Sequence, residues 1–127
     1  MVTRHIDRPS EKAEQAHIVH LLRSIGGAVY VLGTRRRQGD HQGTRQTPGL
    51  PDVLTFLPSR GNGHRVLMVE CKATGGRLRP AQVVFRDLCV TSNADYVTGD
   101  LDAVIAWLVT HHYVTSPHGP PSRTGTR

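Results

Sequence analysis

Hydrophobic residues recur at two spacings along this chain, and the spacings separate predicted helices from predicted strands. A first helix is predicted over about residues 10–25, because Ser10 is a good N-cap and the apolar positions after it follow helical spacing: Ile18, Leu21, Leu22 and Ile25. Gly26 and Gly27 are the expected stop. This segment is therefore predicted to be an amphipathic helix.

Two further helices are predicted later in the chain. Pro80 suits the first position of a helix over about residues 81–92, with these side chains expected to face inward: Val84, Leu88 and Phe85. Asp100 is the expected N-cap of a last helix over about residues 101–112. The exposed side of that helix near Trp107 is the expected place for a contact between subunits.

Short apolar runs predict four strands, over residues 28–32, 52–57, 66–71 and 94–98. The third run is almost wholly apolar, which is typical of a strand covered on both faces. Turn residues between the second and third runs predict a β-hairpin, and the helix between the third and fourth predicts a right-handed parallel crossover. The fold class is therefore α/β, with the order αβββαβα and a small mixed sheet flanked by helices.

Two polar segments stand outside these elements. The segment from Gly33 to Gly49 reads as a long basic loop, and its arginines are expected to bind the phosphates of a nucleic acid: Arg35, Arg36, Arg37 and Arg45. Residues 115–127 contain no large apolar side chain and are expected to be a disordered basic tail. The domain is therefore expected to span residues 1–114.

Composition narrows the class of partner. The chain has 127 residues and a formal charge of +6, which favours a nucleic-acid partner over a membrane because no basic amphipathic helix is predicted. No run of residues reaches transmembrane length, and the beginning of the sequence lacks a signal-type apolar core. Two cysteines do not make a disulfide framework. These features predict a cytosolic protein.

The candidate chemistry lies at the ends of the second and third strands. Asp52 opens one strand after Gly49-Leu50-Pro51, and Glu70 and Lys72 flank a single residue at the end of the next. Alternate side chains of a strand share a face, so Glu70 and Lys72 project together, and an antiparallel hairpin brings Asp52 beside them. Two carboxylates next to an ammonium group suit a hard divalent cation beside a phosphate. The pattern predicts phosphodiester chemistry.

These sequence motifs resemble those of a known protein family. Gly49-Leu50-Pro51-Asp52 with Glu70-Cys71-Lys72 is similar to the PD-(D/E)xK nuclease signature. Two further motifs narrow the resemblance to the VRR-NUC (virus-type replication-repair nuclease) family: Ser10-Glu11-x-x-x-Gln15 and Gly75-Gly76-Arg77-Leu78-x-Pro80-Ala81-Gln82. The resemblance covers about residues 10–112 and implies a restriction-endonuclease-like core.

The resemblance also implies roles for individual residues. Asp52 and Glu70 would bind Mg²⁺, which Mn²⁺ is expected to replace, with the backbone carbonyl of Cys71 as a third ligand, and Lys72 would be the catalytic lysine. A glutamate of the first helix would complete the site. Glu11 is favoured for this role and Glu14 is the alternative.

Three residues near the second helix complete the expected site. Gln82 would face the metal and hold a phosphate or a water. Arg77 and Arg79 would contact the nucleic-acid backbone, although Arg79 occupies a cap position that Ser or Asp would fill better.

The resemblance implies a Mg²⁺-dependent DNA endonuclease that acts in replication, recombination or repair. Stand-alone members are expected to be homodimers that cut branched DNA such as four-way (Holliday) junctions, in a bacterial or phage-infected cell and beside a replication or helicase protein. Two alternatives stay open: a non-catalytic nucleic-acid-binding module on a nuclease fold, and a sequence-specific nuclease of restriction type.

Overall fold

The described part of the chain contains three helices and one mixed sheet of four strands. A computed structural model describes residues 9–32, 47–59, 61 and 63–115. The elements follow in this order: α1 (Glu11–Ser24), β1 (Ala28–Val31), β2 (Val53–Pro58), β3 (His64–Cys71), α2 (Pro80–Thr91), β4 (Asp95–Gly99) and α3 (Leu101–Thr110). The predicted class, a small α/β fold with a mixed sheet and flanking helices, is confirmed.

Two sequence-based predictions fall on other parts of the chain. Most of the predicted basic loop, residues 33–46, lies outside the described residues, together with Arg35, Arg36, Arg37 and Arg45. Residues 116–127 of the predicted tail also lie outside them. No helix among the described ranges has the length and apolar character that crossing a membrane requires.

The strands lie in the order β1-β2-β3-β4. β1 pairs antiparallel with β2, and β2 pairs antiparallel with β3, which confirms the predicted hairpin. β3 and β4 are parallel, as the intervening helix predicted. In this register Val53 lies opposite Val69, so the start of β2 and the end of β3 meet at one edge of the sheet.

The core fills the space between one face of the sheet and helices α1 and α3. Each of these helices begins at a side-chain cap, Ser10 for α1 and Asp100 for α3. The strands contribute alternate residues, as a sheet with one face on the core requires. The largest fully buried apolar side chains in this layer are Ile18, Leu22, Val53, Leu57, Leu67, Val69, Val104 and Leu108.

α2 lies on the other face of the sheet, and the prediction of its inward side was right for Phe85 but wrong for Val84 and Leu88. Val84 and Leu88 are 60% and 59% exposed. Cys89 is buried instead, and Phe85 packs against Tyr96 of β4. The helix carries apolar residues on several sides, so spacing alone did not identify the side that meets β4.

The prediction that β3 is covered on both faces was also wrong. Leu67 and Val69 face the core and are fully buried, but Val66 on the opposite face is exposed. α2 packs against β4 and leaves the beginning of β3 uncovered on its side. Only the last part of the strand, which ends in Glu70 and Cys71, is buried on both faces.

Trp107 packs within the chain near the end of α3, and a contact between subunits on the exposed side of this helix stays a prediction. Its indole is half-buried and stacks on His111, with ring centroids 4.0 Å apart. The guanidinium of Arg65 lies 5.1 Å from the centre of the ring and forms an ion pair with Asp95. The indole is therefore committed to contacts within the chain.

Candidate functional site

Three carboxylates from different elements converge at the edge where β2 begins and β3 ends. Their oxygens lie within 4.8 Å of one another, and the residues are Glu11, Asp52 and Glu70. The strand register explains the positions of two of them. Val53 and Val69 are paired across the hairpin, Asp52 directly precedes Val53, and Glu70 directly follows Val69. Glu11 is the first residue of α1 and reaches the cluster from the helix end. The resemblance had implied Asp52, Glu70 and a glutamate of the first helix, with Glu11 favoured and Glu14 as the alternative.

Backbone contacts hold Asp52 in this position. Its Oδ2 accepts a hydrogen bond of 2.8 Å from the backbone N–H of Cys71. Its own carbonyl accepts from the N–H of Leu32 at the end of β1. Gly49 turns the chain toward Asp52 with a φ of +92°, a conformation that glycine adopts readily. Asp52 is thus held from both sides, by its carboxylate at the end of β3 and by its backbone carbonyl just after β1.

Glu70 is the most deeply buried of the three acids, with 2% of its surface exposed. Oε2 accepts from Nε2 of Gln82 at 3.0 Å, while Oε1 is buried and has no hydrogen-bond partner among the described residues. Burial first, and then the neighbouring charge of Asp52, raise the pKa of Glu70 to about 8, with Lys72 opposing the shift. A cation bound at this position would offset both the burial of the charged carboxylate and its repulsion by Asp52.

Lys72 lies on the same side as Glu70, as strand alternation predicted. Its Nζ is 3.7 Å from Oε2 of Glu70, and the side chain is nine-tenths buried. The backbone N–H of Lys72 donates to the carbonyl of Gly99, which extends the pairing of β3 with β4. An open cavity of about 250 Å³ begins at Lys72 and is lined further by residues 73–76, 78 and 98–100. Its lining thus shares Lys72 with the candidate site but includes none of the three acids.

Gln82 connects the start of α2 to the site. Its Oε1 accepts from the backbone N–H of Arg79, so its Nε2 must be the atom that faces Glu70. This contact also explains how Arg79 serves at a cap position, since the Gln82 side chain satisfies its N–H. Gln82 therefore points at the acidic cluster, as the resemblance implied.

The two candidate glutamates of α1 have separate positions. Glu14 is buried, and its Oε1 accepts a hydrogen bond of 2.7 Å from the N–H of Leu101 at the start of α3. Glu11 joins Asp52 and Glu70 instead. The structure therefore groups Glu11, and not Glu14, with the other candidate ligands.

The remaining predicted residues are less constrained. The side chain of Cys71 points into the core, and a role for its carbonyl as a metal ligand stays a prediction. Arg77 and Arg79 are exposed, and neither forms an ion pair with another described residue. Their contact with nucleic acid also stays a prediction.

Two residues that sequence reasoning missed lie beside Glu70. Thr98 is opposite Glu70 in the parallel pair, and Tyr96 is opposite Met68. Both hydroxyl oxygens are buried without a hydrogen-bond partner among the described residues. Burial, followed by the charge of Glu70, raises the pKa of Tyr96. Alternation along β4 suggested that the two share a face, but only the register places that face next to Glu70.

The arrangement suits a hard divalent cation. Three carboxylates and one ammonium group share a small volume, and carboxylates at this separation repel one another unless a cation or proton intervenes. Oxygen donors are what Mg²⁺ prefers, and it usually takes one or two carboxylates together with waters and phosphate oxygens. The unpartnered Oε1 of Glu70 is a donor that such an ion would use.

Comparisons of this chain with protein-family models, with curated proteins and with solved structures find no match.

Proposed function

We propose that this protein is a Mg²⁺-dependent DNA endonuclease of the PD-(D/E)xK type, similar to the VRR-NUC family. The observation that carries the proposal is Glu70, a buried carboxylate with an unpartnered oxygen. It lies between two further acids, Asp52 and Glu11, and the ammonium group of Lys72. A structural role alone does not require this combination at an open edge of the sheet.

The acids would hold the metal ion, and the other polar groups would act on the substrate. When bound, Mg²⁺ would polarise the scissile phosphate and lower the pKa of a water. Lys72 is placed to orient the attacking water or to offset negative charge that develops on the phosphate. Gln82 fixes the orientation of Glu70 through Nε2, as groups behind metal ligands commonly do.

The fold supports a restriction-endonuclease-like core. Such a core carries its acids on a hairpin and its closing glutamate on the preceding helix, and the described elements occur in that sequence. Asp52 and Glu70 lie at adjacent strand ends. The proposed site therefore lies on rigid strands, which suits precise positioning of a phosphodiester.

DNA is the proposed substrate because the chain has a formal charge of +6 and arginines flank the site in sequence. Arg77 and Arg79 are exposed on the segment between Lys72 and α2. Aromatic residues make up only 5% of the chain, so recognition should depend on backbone and shape more than on base stacking. Branched DNA, including four-way junctions, is the proposed preferred form, and replication, recombination or repair the proposed context.

The test compares DNA cleavage by the wild type and by single variants. A supercoiled plasmid and a synthetic four-way junction are incubated with Mg²⁺ or with chelator. Asp52→Asn and Lys72→Ala should each lower cleavage at least about 100-fold, because each removes a group that acts in the transition state. Asp102→Asn, at an exposed position in the first turn of α3, should cleave like the wild type.

Binding of DNA and of metal separates the remaining possibilities. Asp52→Asn should bind a junction about as well as the wild type but lose Mn²⁺ binding in calorimetry. Metal-independent binding by the wild type without any cleavage would contradict the proposal and favour a binding module. Discrete bands from a linear duplex would indicate a sequence-specific nuclease instead.

A further inference from the structure

Three buried oxygen atoms around Glu70 have no hydrogen-bond partner among the described residues. They are Oε1 of Glu70, the hydroxyl oxygen of Tyr96 and Oγ1 of Thr98. Thr98 is opposite Glu70 in the parallel pair of β3 and β4, and Tyr96 is two residues earlier on β4. Strand alternation therefore places all three side chains on the same face of the sheet. We call the three oxygens the buried triad.

Helix α2 lies above the buried triad. Gln82 in its first turn donates from Nε2 to Oε2 of Glu70. Phe85, three residues later on the same side of the helix, packs against the ring of Tyr96, with centroids 6.1 Å apart. Burial and then the charge of Glu70 raise the pKa of Tyr96, which agrees with this proximity. The triad therefore lies in one region, between α2 and the strands β3 and β4.

Three unpaired polar atoms in one buried region would destabilise the fold. Each gives up its hydrogen bonds to bulk water on folding, and buried polar groups in folded proteins are almost always paired again. The three atoms do not bond to one another. A single water can pair with all of them, because it accepts from the two hydroxyls and donates to the carboxylate. Buried waters typically make about three hydrogen bonds of this kind.

We propose that Tyr96 and Thr98 are positioning residues that hold the free oxygen of Glu70 through one buried water. Gln82 already fixes Oε2, so the water fixes the second oxygen and gives the carboxylate a single orientation. A carboxylate oxygen has two lone pairs, so Oε1 can accept from the water and also bind a cation. The positioning role rests on the metal site of the proposed function, whereas the water does not depend on a metal ion.

Thr55 provides a matched control within the same sheet. Its Oγ1 is also buried without a partner among the described residues. Thr55 lies between Val53 and Leu57 on β2, and alternation places it with them on the core face, away from Glu70. Valine is β-branched like threonine but lacks the hydroxyl. Thr55→Val therefore removes a buried hydroxyl that is remote from Glu70, whereas Thr98→Val removes one beside it.

The first test needs no metal ion. A high-resolution crystal structure of the metal-free wild type should show one water within about 3.2 Å of each atom of the buried triad. In urea unfolding of the metal-free protein, Tyr96→Phe and Thr98→Val should each lower the midpoint, because each removes a hydrogen bond to the water, and Thr55→Val should not. A hydroxyl bonded directly to Oε1, or no water at the triad, would overturn the proposal. So would equal midpoints for Thr98→Val and Thr55→Val.

The second test measures the affinity for Mn²⁺ by calorimetry. Tyr96→Phe and Thr98→Val should each bind Mn²⁺ about 10-fold more weakly than the wild type, as is typical when a group behind a metal ligand is removed. Thr55→Val should bind like the wild type. Thr98→Ser should also bind like the wild type because it keeps the hydroxyl, although serine lowers the stability of a strand. This rescue separates positioning of Glu70 from a general effect on folding.

The outcomes distinguish this proposal from the proposed function. If the wild type binds Mn²⁺ and the variants without a hydroxyl bind it equally tightly, the positioning role is overturned and the metal site stands. If the wild type binds no Mn²⁺, the metal site is overturned together with the positioning role, and the crystal structure still decides whether the water is present. Circular dichroism checks that each variant is folded at the temperature of the calorimetry.

Discussion

Glu70 shows how a single side chain connects the fold to the proposed chemistry. Its carboxylate is buried beside Asp52, and the cost of ionising it is offset only in part by Lys72. Gln82 satisfies one oxygen and leaves the other without a partner among the described residues. A residue in this state destabilises the metal-free protein, and a bound cation would recover the loss.

The pH dependence of stability should reveal this cost. The pKa of Glu70 is raised from 4.5 to about 8 in the folded protein, so between these values the folded state holds a proton that the unfolded chain has lost. The contribution of the Glu70 carboxyl to the free energy of unfolding is therefore fully present below pH 4.5 and declines as pH rises toward 8. Thermal melts of the metal-free protein should show this decline.

Glu70→Gln supplies the comparison because it has no proton to lose. Its melting temperature should change less across the same pH range than that of the wild type. Millimolar Mg²⁺ should raise the melting temperature of the wild type at pH 8 and leave Glu70→Gln nearly unchanged. Parallel pH curves for the two proteins would show that the carboxyl titrates normally.

At the level of elements, the two glutamates at the beginning of α1 make different contacts. Glu14 joins α1 to the start of α3 through the N–H of Leu101. Glu11, three residues earlier, belongs to the acidic cluster at the sheet edge. Both face the rest of the protein from the same helix end, so sequence spacing did not distinguish them and tertiary contacts did.

Substituting each glutamate should separate stability from cleavage. Glu14→Ala should lower the free energy of unfolding by about 1.5–3 kcal/mol, because it removes a charged acceptor from a buried N–H. Glu11→Ala should leave the stability near that of the wild type and reduce cleavage at least about 10-fold. Urea unfolding and the plasmid assay measure the two effects. Similar results for both variants would mean that neither role is specific.

The turn before β2 depends on Gly49. Its φ is +92°, and a Cβ atom there would lie 2.5 Å from the carbonyl oxygen of Ala81. Gly49→Ala should therefore cost about 2–4 kcal/mol from strained backbone and overlap together. It should also displace Asp52, three residues later, and reduce cleavage.

Gly61 provides the matched control for that substitution. It has a similar φ of +85°, but no described atom lies within 4 Å of its added Cβ. Gly61→Ala should cost only about 1 kcal/mol and leave cleavage unchanged, since it lies in the turn between β2 and β3. Equal losses for the two variants in urea unfolding would show that close packing at Gly49 is unimportant.

For the whole molecule, charge is the property that is expected to select the partner. The formal charge of +6 favours DNA. The candidate site lies on the face of the sheet against which α2 packs only at β4.

Salt dependence should measure how many charges meet DNA phosphates. Affinity for a DNA junction should fall steeply with added salt, because each neutralised phosphate contributes a slope of about 0.9 on logarithmic axes. Replacing Arg35, Arg36 and Arg37 by alanine should reduce the slope by about 3. Fluorescence anisotropy with labelled DNA at several salt concentrations measures it.

Arg23→Ala is the control for charge alone. Arg23 is exposed in the last turn of α1, about 20 Å along the helix from Glu11. Its removal should leave the salt slope unchanged. A triple variant with the slope of the wild type would show that the basic segment does not contact phosphates.

The local sequence pattern was sufficient to predict the helices and strands and the proximity of Asp52 to Glu70. Apolar spacing, caps and turn residues predicted each helix and strand of the described ranges to within a few residues. The two-residue period of a strand placed Glu70 with Lys72, and the hairpin brought Asp52 beside them. These relations depend on short stretches of chain whose geometry is nearly the same in every protein.

Tertiary structure decided which surfaces meet. It selected the side of α2 that faces β4, separated Glu11 from Glu14, and brought Thr98 beside Glu70. Apolar periodicity indicates that one side of a helix or strand is buried. It does not indicate which distant segment packs on that side, because this depends on strand register and on the packing of the whole chain.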